Sequence, residues 1–519
     1  MALSTGRLRR VSLSPMMRFA MVLLMLAGLA AAEASSVQAS PSKPNVLLIC
    51  VDDLKPALGC YGDKLARSPN IDRLAARGML FSRAYCNQAV CAPSRNALLT
   101  GMRPTSMGIY DLGTNFRKAV PNAVTLPQYF KQHGYRAEGL GKIFHVGHGN
   151  DEDPASWSVP FWKERVVAYA SPASGATNTL TREEAYFAND PRPNASLPRG
   201  AAYEAADVAD EDYPDGKIAD EAIRRLRASR EKPDSPFFLA VGFVKPHLPF
   251  CAPKKYWDLY DRSEFKLAAR QTPPDGAPVY APQFGGELRQ YRGIPERGPL
   301  DEELQRTLIH GYYAAMSYMD AQLGRVLDEL DRLGLADHTI IALWGDHGWH
   351  LGDHGIWCKH TNYEQANHIP LIITAPRVTK PRSRSDALVE TVDLYPTLCA
   401  LARLPAPTVP QTLDGTSLVP ILQRKMFAKK KEAVFHAYPR NPRDKGNLIG
   451  RAVRTERYRL VEWKRPGASP ETADLELYDY KTDPGETKNL AKEKPKVVAQ
   501  LRAILAKEPE PKPQFRASP

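Results

Sequence analysis

Asn45-Val46-Leu47-Leu48-Ile49-Cys50-Val51-Asp52-Asp53 is the stretch from which the fold can be read. Its apolar run does not alternate with polar residues, which is the pattern of a strand in a parallel sheet with helices over both faces. It stops abruptly at two carboxylates. Similar runs at 135–140, 237–244 and 339–344 also stop at polar clusters, and helix-like segments at 71–78, 126–133 and 311–334 lie between them. The alternation predicts an α/β fold with a large, mostly parallel or mixed sheet flanked by helices. In such sheets ligands gather beyond the carboxyl ends of the strands, so the chemistry is to be sought where each run ends.

The 519 residues, 43% hydrophobic and 25% charged, exclude a wholly disordered chain. Arg7, Arg9, Arg10 and Arg18 precede an apolar run at 19–32, followed by small residues at Ala30, Ala32 and Ala34. This reads as a signal peptide over 1–34, and the run is shorter than the ~20 apolar residues of a spanning helix. The expected fate is export to the periplasm or cell exterior, or to the lysosome in a eukaryote, with no membrane insertion after cleavage. Residues 35–43 read as a linker. The net charge of +12 suits acidic polysaccharide, and export argues against a nucleic-acid partner. Arg424, Lys425, Lys429, Lys430 and Lys431 read as a solvated connector between a catalytic domain at 44–425 and a smaller α+β subdomain at 426–510. Residues 150–231, rich in Pro, Ala, Asp and Glu, read as long loops, and the Pro-rich end, with its tail at 511–519, as frayed.

Asp52 and Asp53 are adjacent carboxylates that need a cation or several donors to offset their repulsion. Trp344-Gly345-Asp346-His347-Gly348 ends another strand in the same manner, and three carboxylates with one imidazole suit Ca²⁺ or Mg²⁺. His347, His350, His354, Cys358 and His360 invite a zinc reading, but their spacings fit no zinc template. Lys359 lies among them. Cys91, near a predicted helix start and beside Arg95, would in one reading have a lowered thiol pKa and be a competent nucleophile. From the thiol alone, a half-cystine or an inert buried group is the favoured reading. Seven cysteines are too few for a disulfide scaffold.

Cys91-Ala92-Pro93-Ser94-Arg95-Asn96-Ala97-Leu98-Leu99-Thr100-Gly101 reproduces the pattern C-x-P-S-R-x-x-x-L-T-G. On this motif the chain resembles the type I sulfatases of the alkaline-phosphatase superfamily. Gly141-Lys142-Ile143-Phe144-His145, Lys245-Pro246-His247-Leu248-Pro249-Phe250 and Gly345-Asp346-His347-Gly348-Trp349 through Lys359 sharpen the resemblance toward the iduronate-2-sulfatase branch. Asp483-Pro484-Gly485-Glu486 to Asn489-Leu490-Ala491 is similar to the family's C-terminal subdomain.

The resemblance implies an alkaline-phosphatase-like fold and hydrolysis of a sulfate monoester on a glycosaminoglycan-type polysaccharide; the family does not fix the sugar or endo versus exo action, and exo action on a uronate 2-O-sulfate is the expected case. It implies that Cys91 is converted by a formylglycine-generating enzyme to formylglycine, whose hydrate is the nucleophile. One Ca²⁺ would be held by Asp52, Asp53, Asp346, His347 and residue 91, with His347 standing where many members carry Asn. Lys142, His247 and Lys359 would bind sulfate, with His247 or Lys359 protonating the leaving oxygen. Arg95 would orient the hydrate and His145 take its remaining proton. Two other functions fit the sequence: a phosphonate or phosphate monoester hydrolase of the same superfamily, and an inactive protein that binds sulfated glycans. Residues 150–231 agree least with the branch and would shape sugar choice.

Overall fold

The computed structural model describes residue 2 and residues 43–232, 234–283 and 285–516. The expected signal peptide lies outside the described residues. Eight strands form the main sheet: β1 Asn45–Val51, β2 Met79–Tyr85, β3 Arg136–Gly141, β4 Phe237–Phe243, β5 Thr339–Gly345, β6 His368–Thr374, β7 Ser383–Ser385 and β8 Val389–Glu390. Their order is β8-β2-β6-β5-β1-β4-β3, with β7 added beside β2. β1 lies parallel to both β4 and β5, with Ile49 opposite Val241 and Leu343. β6 runs antiparallel to β2 and β5, so the sheet is mixed.

Every residue of β1 is buried because both sheet faces are covered. Leu47, Ile49 and Val51 point to one core with α1 Pro69–Arg77 and the long α6 Glu302–Arg332, while Val46, Leu48 and Cys50 point to the other with α2 Cys91–Thr100 and α3 Leu126–Gln132. Each such aliphatic side chain contributes about 1.5–3 kcal/mol of burial energy, which holds the strand ends in register.

Three expectations are corrected. Residues 150–231 are not all loop, since they include α4 Arg182–Ala188 and the 17-residue α5 Pro214–Arg230. In α5, Ile218, Ala222 and Leu226 recur every fourth residue and are buried against the sheet, a stripe diluted by the intervening charges. Lys431 is not a solvated linker residue, for its ammonium lies 2.5 Å from Glu390 and 2.7 Å from Asp393. The tail is not frayed as far as it is described: Lys512 N donates to Thr105 O at 2.9 Å and Phe515 N to Gly108 O at 2.6 Å.

A second, antiparallel sheet comprises β9 Ala433–Arg440, β10 Leu448–Thr455, β11 Tyr458–Lys464 and β12 Asp474–Asp479, and α7 Pro495–Leu505 packs against it. Tyr478 of β12 packs with Ile356, Cys358 and Tyr363, and Asn362 donates to Gly450 O at 3.0 Å, so this sheet braces the segment that bears Lys359. Among the described residues, no helix is long and apolar enough to cross a membrane.

Candidate active site

Four strand ends and one helix start build the site. β1 delivers Asp52 and Asp53, β5 delivers Asp346 and His347, β3 leads into Lys142 and β4 into Lys245 and His247. The exit from β3 is tight: Gly141 has φ +74°, and a Cβ there would lie 2.1 Å from Gly242 O. Only glycine lets the two strands close at this point and turn Lys142 inward. Helix α2, whose ten residues are all buried, begins at Cys91. Ser94 Oγ ties its first turn to Asp346 O at 2.5 Å.

Around this frame the charges interlock. Arg95 donates to Asp346 Oδ2 at 3.0 Å, to Asp52 Oδ1 at 3.1 Å and to Lys142 O. The Lys142 ammonium pairs with Asp52 and lies 4.0 Å from Cys91 Sγ. Asp346 Oδ1 accepts from the backbone of Asp53 at 3.0 Å and of His347 at 2.9 Å. Lys359 Nζ lies 3.1 Å from Asp53 Oδ2 and 2.7 Å from Glu287 Oε2. All of these expected site residues are therefore brought together. His145 joins the cavity wall, its Nε2 3.2 Å from His148 Nδ1.

Three buried carboxylates in contact cannot all ionise in the chain alone. Asp52 stays well below the usual carboxylate range because Lys142, His247 and Arg95 outweigh its burial. Burial pushes Asp53 up to about 7 against the pull of Lys359, and burial followed by Asp52 pushes Asp346 well up. Asp53 Oδ1 is buried without a hydrogen-bond partner. Asp52, Cys91, Asp346 and His347 offer donor atoms within 4.8 Å of one another, as do Asp52, Asp53, Cys91 and His247. Three crowded carboxylates, one of whose oxygens lacks a donor, fit a hard divalent cation. His347 Nδ1 faces Gly348 O at 3.1 Å, which leaves Nε2, 3.3 Å from Cys91 Sγ, free to accept or ligate. Among the described residues, His350, His354, Cys358 and His360 join no such cluster.

The structure favours the inert reading of the Cys91 thiol over a lowered one. Burial, then Asp52, push it well above its ordinary value and outweigh Lys142 and Lys359. The thiol itself is thus a poor nucleophile, and Cys91 is one of seven free cysteines.

Cys91 lines a cavity of about 330 Å³ together with His145, His247, Glu287, Lys359 and residues of the α4 region. Residues 44–404 match the family described as Sulfatase, and residues 352–510 match N-sulphoglucosamine sulphohydrolase, C-terminal. The chain belongs to the sulfatase family. This sulfatase is 36% identical to iduronate 2-sulfatase of Homo sapiens, covering 90% of this chain and 95% of that protein, and it is an iduronate-2-sulfatase-like hydrolase. A structure described as being in complex with its substrate D-glucosamine-2-N,6-O-disulfate superposes with a TM-score of 0.70 at 22% identity, over 90% of this chain and 97% of that one. A phosphonate monoester hydrolase of Agrobacterium radiobacter superposes with 0.69 at 22% identity, over 90% and 96%. Both likenesses speak to the alkaline-phosphatase-like fold.

Sequence reasoning missed several residues of the sulfatase's cavity. Glu287 contacts both Lys359 and His247, the latter at 3.3 Å. Phe187 lies beneath the Lys142 ammonium at 4.9 Å and edge-on to His247. Glu183, also in the wall, is pushed up to about 8 by burial and by Glu287. These residues sit in segments without a motif or a clear period, so nothing in the sequence marked them.

Proposed function

We propose that this sulfatase hydrolyses the 2-O-sulfate of a terminal uronate on a sulfated glycan, with one Ca²⁺ and a formylglycine at position 91. The observation that carries the reading is the Cys91 cavity, lined by Lys359 and with the buried Lys142 ammonium 4.0 Å from Cys91 Sγ, in a chain 36% identical to iduronate 2-sulfatase. Its volume lies at the small end of ligand sites, which suits one terminal ring rather than a threaded polymer. Export, with residues 1–34 removed, would bring the enzyme to such a substrate, and a catalytic domain at 44–425 with a subdomain at 426–510 is the division we adopt.

In this reading Asp52, Asp53, Asp346, His347 and residue 91 hold the cation. When present, the cation supplies positive charge to a sulfate oxygen, and formylglycine supplies a hydrated aldehyde hydroxyl as the nucleophile. The chain's own residues do the rest. Lys142 and Lys359 neutralise the anionic ester. Although burial opposes its charge, Lys359 stays protonated because Asp53 and Glu287 raise its pKa well above the ordinary value, so it has a proton to give to the departing sugar oxygen. Burial and Lys142 hold His145 well below the usual imidazole range, which leaves a neutral base able to take a proton at residue 91. Burial lowers His247 to about 3, and its Nδ1 is fixed 2.5 Å from Leu248 O, so its Nε2 faces the cavity side of the site. Arg95, clamped by Asp52 and Asp346, fixes the backbone of the Lys142 turn beside residue 91.

The test is sulfate release by protein co-produced with a formylglycine-generating enzyme, on disaccharides sulfated singly at uronate O2, hexosamine O6 or hexosamine N, with an aryl phosphate alongside. Preferential release from uronate O2 is expected. Release from another position alone discards the uronate, and turnover of phosphate alone discards the sulfate ester.

A further inference from the structure

We infer that Glu287 is a positioning residue for leaving-group departure, holding the Lys359 ammonium at the Cys91 cavity. This rests on the sulfate-ester reading above. Glu287 opens a short 3₁₀ turn, Glu287–Gln290, behind Gly285 and Gly286 at φ +92° and +86°. A Cβ on Gly286 would come within 3.0 Å of Cys358 Sγ, so this turn is pressed onto the segment that carries Lys359. From there Oε2 accepts from Lys359 Nζ at 2.7 Å, while Oε1 lies 3.3 Å from His247 Nε2 without a hydrogen bond.

The charge of Glu287 is the clue to its use. Asp52, Asp53 and Asp346 belong to the donor clusters that fit a cation, but Glu287 belongs to neither and lines the cavity instead. A carboxylate facing the place where an anionic ester binds weakens that binding, so its contribution has to lie in geometry. Lys359 has three N–H groups. Asp53 and Glu287 accept two of them from different sides, and Trp349 lies 4.9 Å beneath the ammonium. One N–H is left for substrate. Without Glu287 the ammonium would relax toward Asp53.

In the step this serves, the sulfuryl group passes to the attacking oxygen at position 91 as the S–O bond to the sugar breaks. The electron pair of that bond stays on the sugar oxygen, which takes a proton from Lys359 Nζ. An alkoxide leaving group needs that proton, whereas an aryl oxide with strong electron withdrawal does not.

The experiment compares wild type, Glu287→Gln and Glu287→Asp as formylglycine-bearing, Ca²⁺-saturated enzymes on a uronate 2-O-sulfate disaccharide and on 4-nitrophenyl sulfate. Glu287→Gln should lower kcat on the sugar ester about 100-fold, in the range of general acid catalysis, and leave the aryl ester within about threefold. Glu287→Asp should recover part of the loss. Calorimetric titration of inorganic sulfate into the Cys91→Ser protein, with and without Glu287→Gln, should show affinity that is unchanged or tighter, since a negative charge is removed. Equal losses on the two esters, weaker sulfate binding, or no change on either ester would overturn the inference. If wild type turns over neither ester, the sulfate-ester reading fails and this inference falls with it.

Discussion

Sγ of Cys91 lies 3.3 Å from Nε2 of His347, which joins the start of helix α2 to the end of strand β5. The contact places residue 91 among the groups that fit a cation, although 256 residues separate the pair in sequence. Replacing Cys91 by Ala should therefore abolish sulfate release while the melting temperature and Ca²⁺ affinity stay close to wild type. Activity, thermal melts and metal titration on the same preparation check this, and full residual activity would refute the role given to residue 91.

Metal removal should be felt in stability as well as in turnover. Ca²⁺ at 100 times its dissociation constant would stabilise the folded chain by about 2.7 kcal/mol, so chelation should lower the melting temperature and readdition restore it. Asp53→Asn removes one of three crowded carboxylates, one of whose oxygens is buried without a donor. It should weaken Ca²⁺ binding and also lessen the destabilisation caused by chelation. A chelated wild type that melts unchanged would argue against a cation at this cluster.

Acid should loosen the brace around Lys431. Burial opposes ionisation of Glu390, but Arg103 and Lys431 hold it at about 2, below its ordinary 4.5. A lowered carboxylate pKa stabilises the fold above the unfolded value, and that stabilisation is lost as pH falls from 4.5 toward 2. The full effect for Glu390 is on the order of 3 kcal/mol, reduced by its neighbour Asp393, which burial and Glu390 push up. Glu390→Gln should melt lower than wild type at pH 7 and show a flatter decline between pH 5 and 3. Parallel declines in the two proteins would exclude this pair as a source of acid sensitivity.

Gly141→Ala tests how the strand end aims Lys142. A Cβ placed 2.1 Å from Gly242 O, on a residue with φ +74°, forces the backbone to move. A loss of about 1–3 kcal/mol in denaturant unfolding is expected, together with a larger loss in kcat/KM as the ammonium is displaced from Asp52. Unchanged kinetics would mean that Lys142 tolerates the shift.

Much of the architecture was legible because helices over both faces demand unbroken apolar strands, and β1, β3, β4 and β5 declare themselves that way. The other four of the main sheet did not, and two of them show why. Ser82 and Arg83 interrupt Met79–Tyr85, and Pro370 interrupts His368–Thr374. The structure pairs these two, with Phe81 opposite Leu371 and Ala84 opposite Ile369, so that Pro370 falls at a shift of register where no ladder bond is demanded of it. Helix α5 was hidden for a different reason: its apolar residues are a narrow stripe among Asp, Glu, Lys and Arg.

The sequence by itself determined the family and pointed to the residues proposed to carry the chemistry, because Asp52, Asp53, Cys91, Arg95, Asp346 and His347 lie in short motifs whose meaning is local. Only the tertiary structure decided which groups share a charge and which way each proton is held. Glu287 reaches Lys359 across 72 residues, and Arg95 joins Asp52 to Asp346 across 43 and 251. Burial then sets the Cys91 thiol against the reading drawn from its helix start. Coulomb interaction and desolvation depend on distance through space and on exclusion of water, and neither can be read from spacing along the chain.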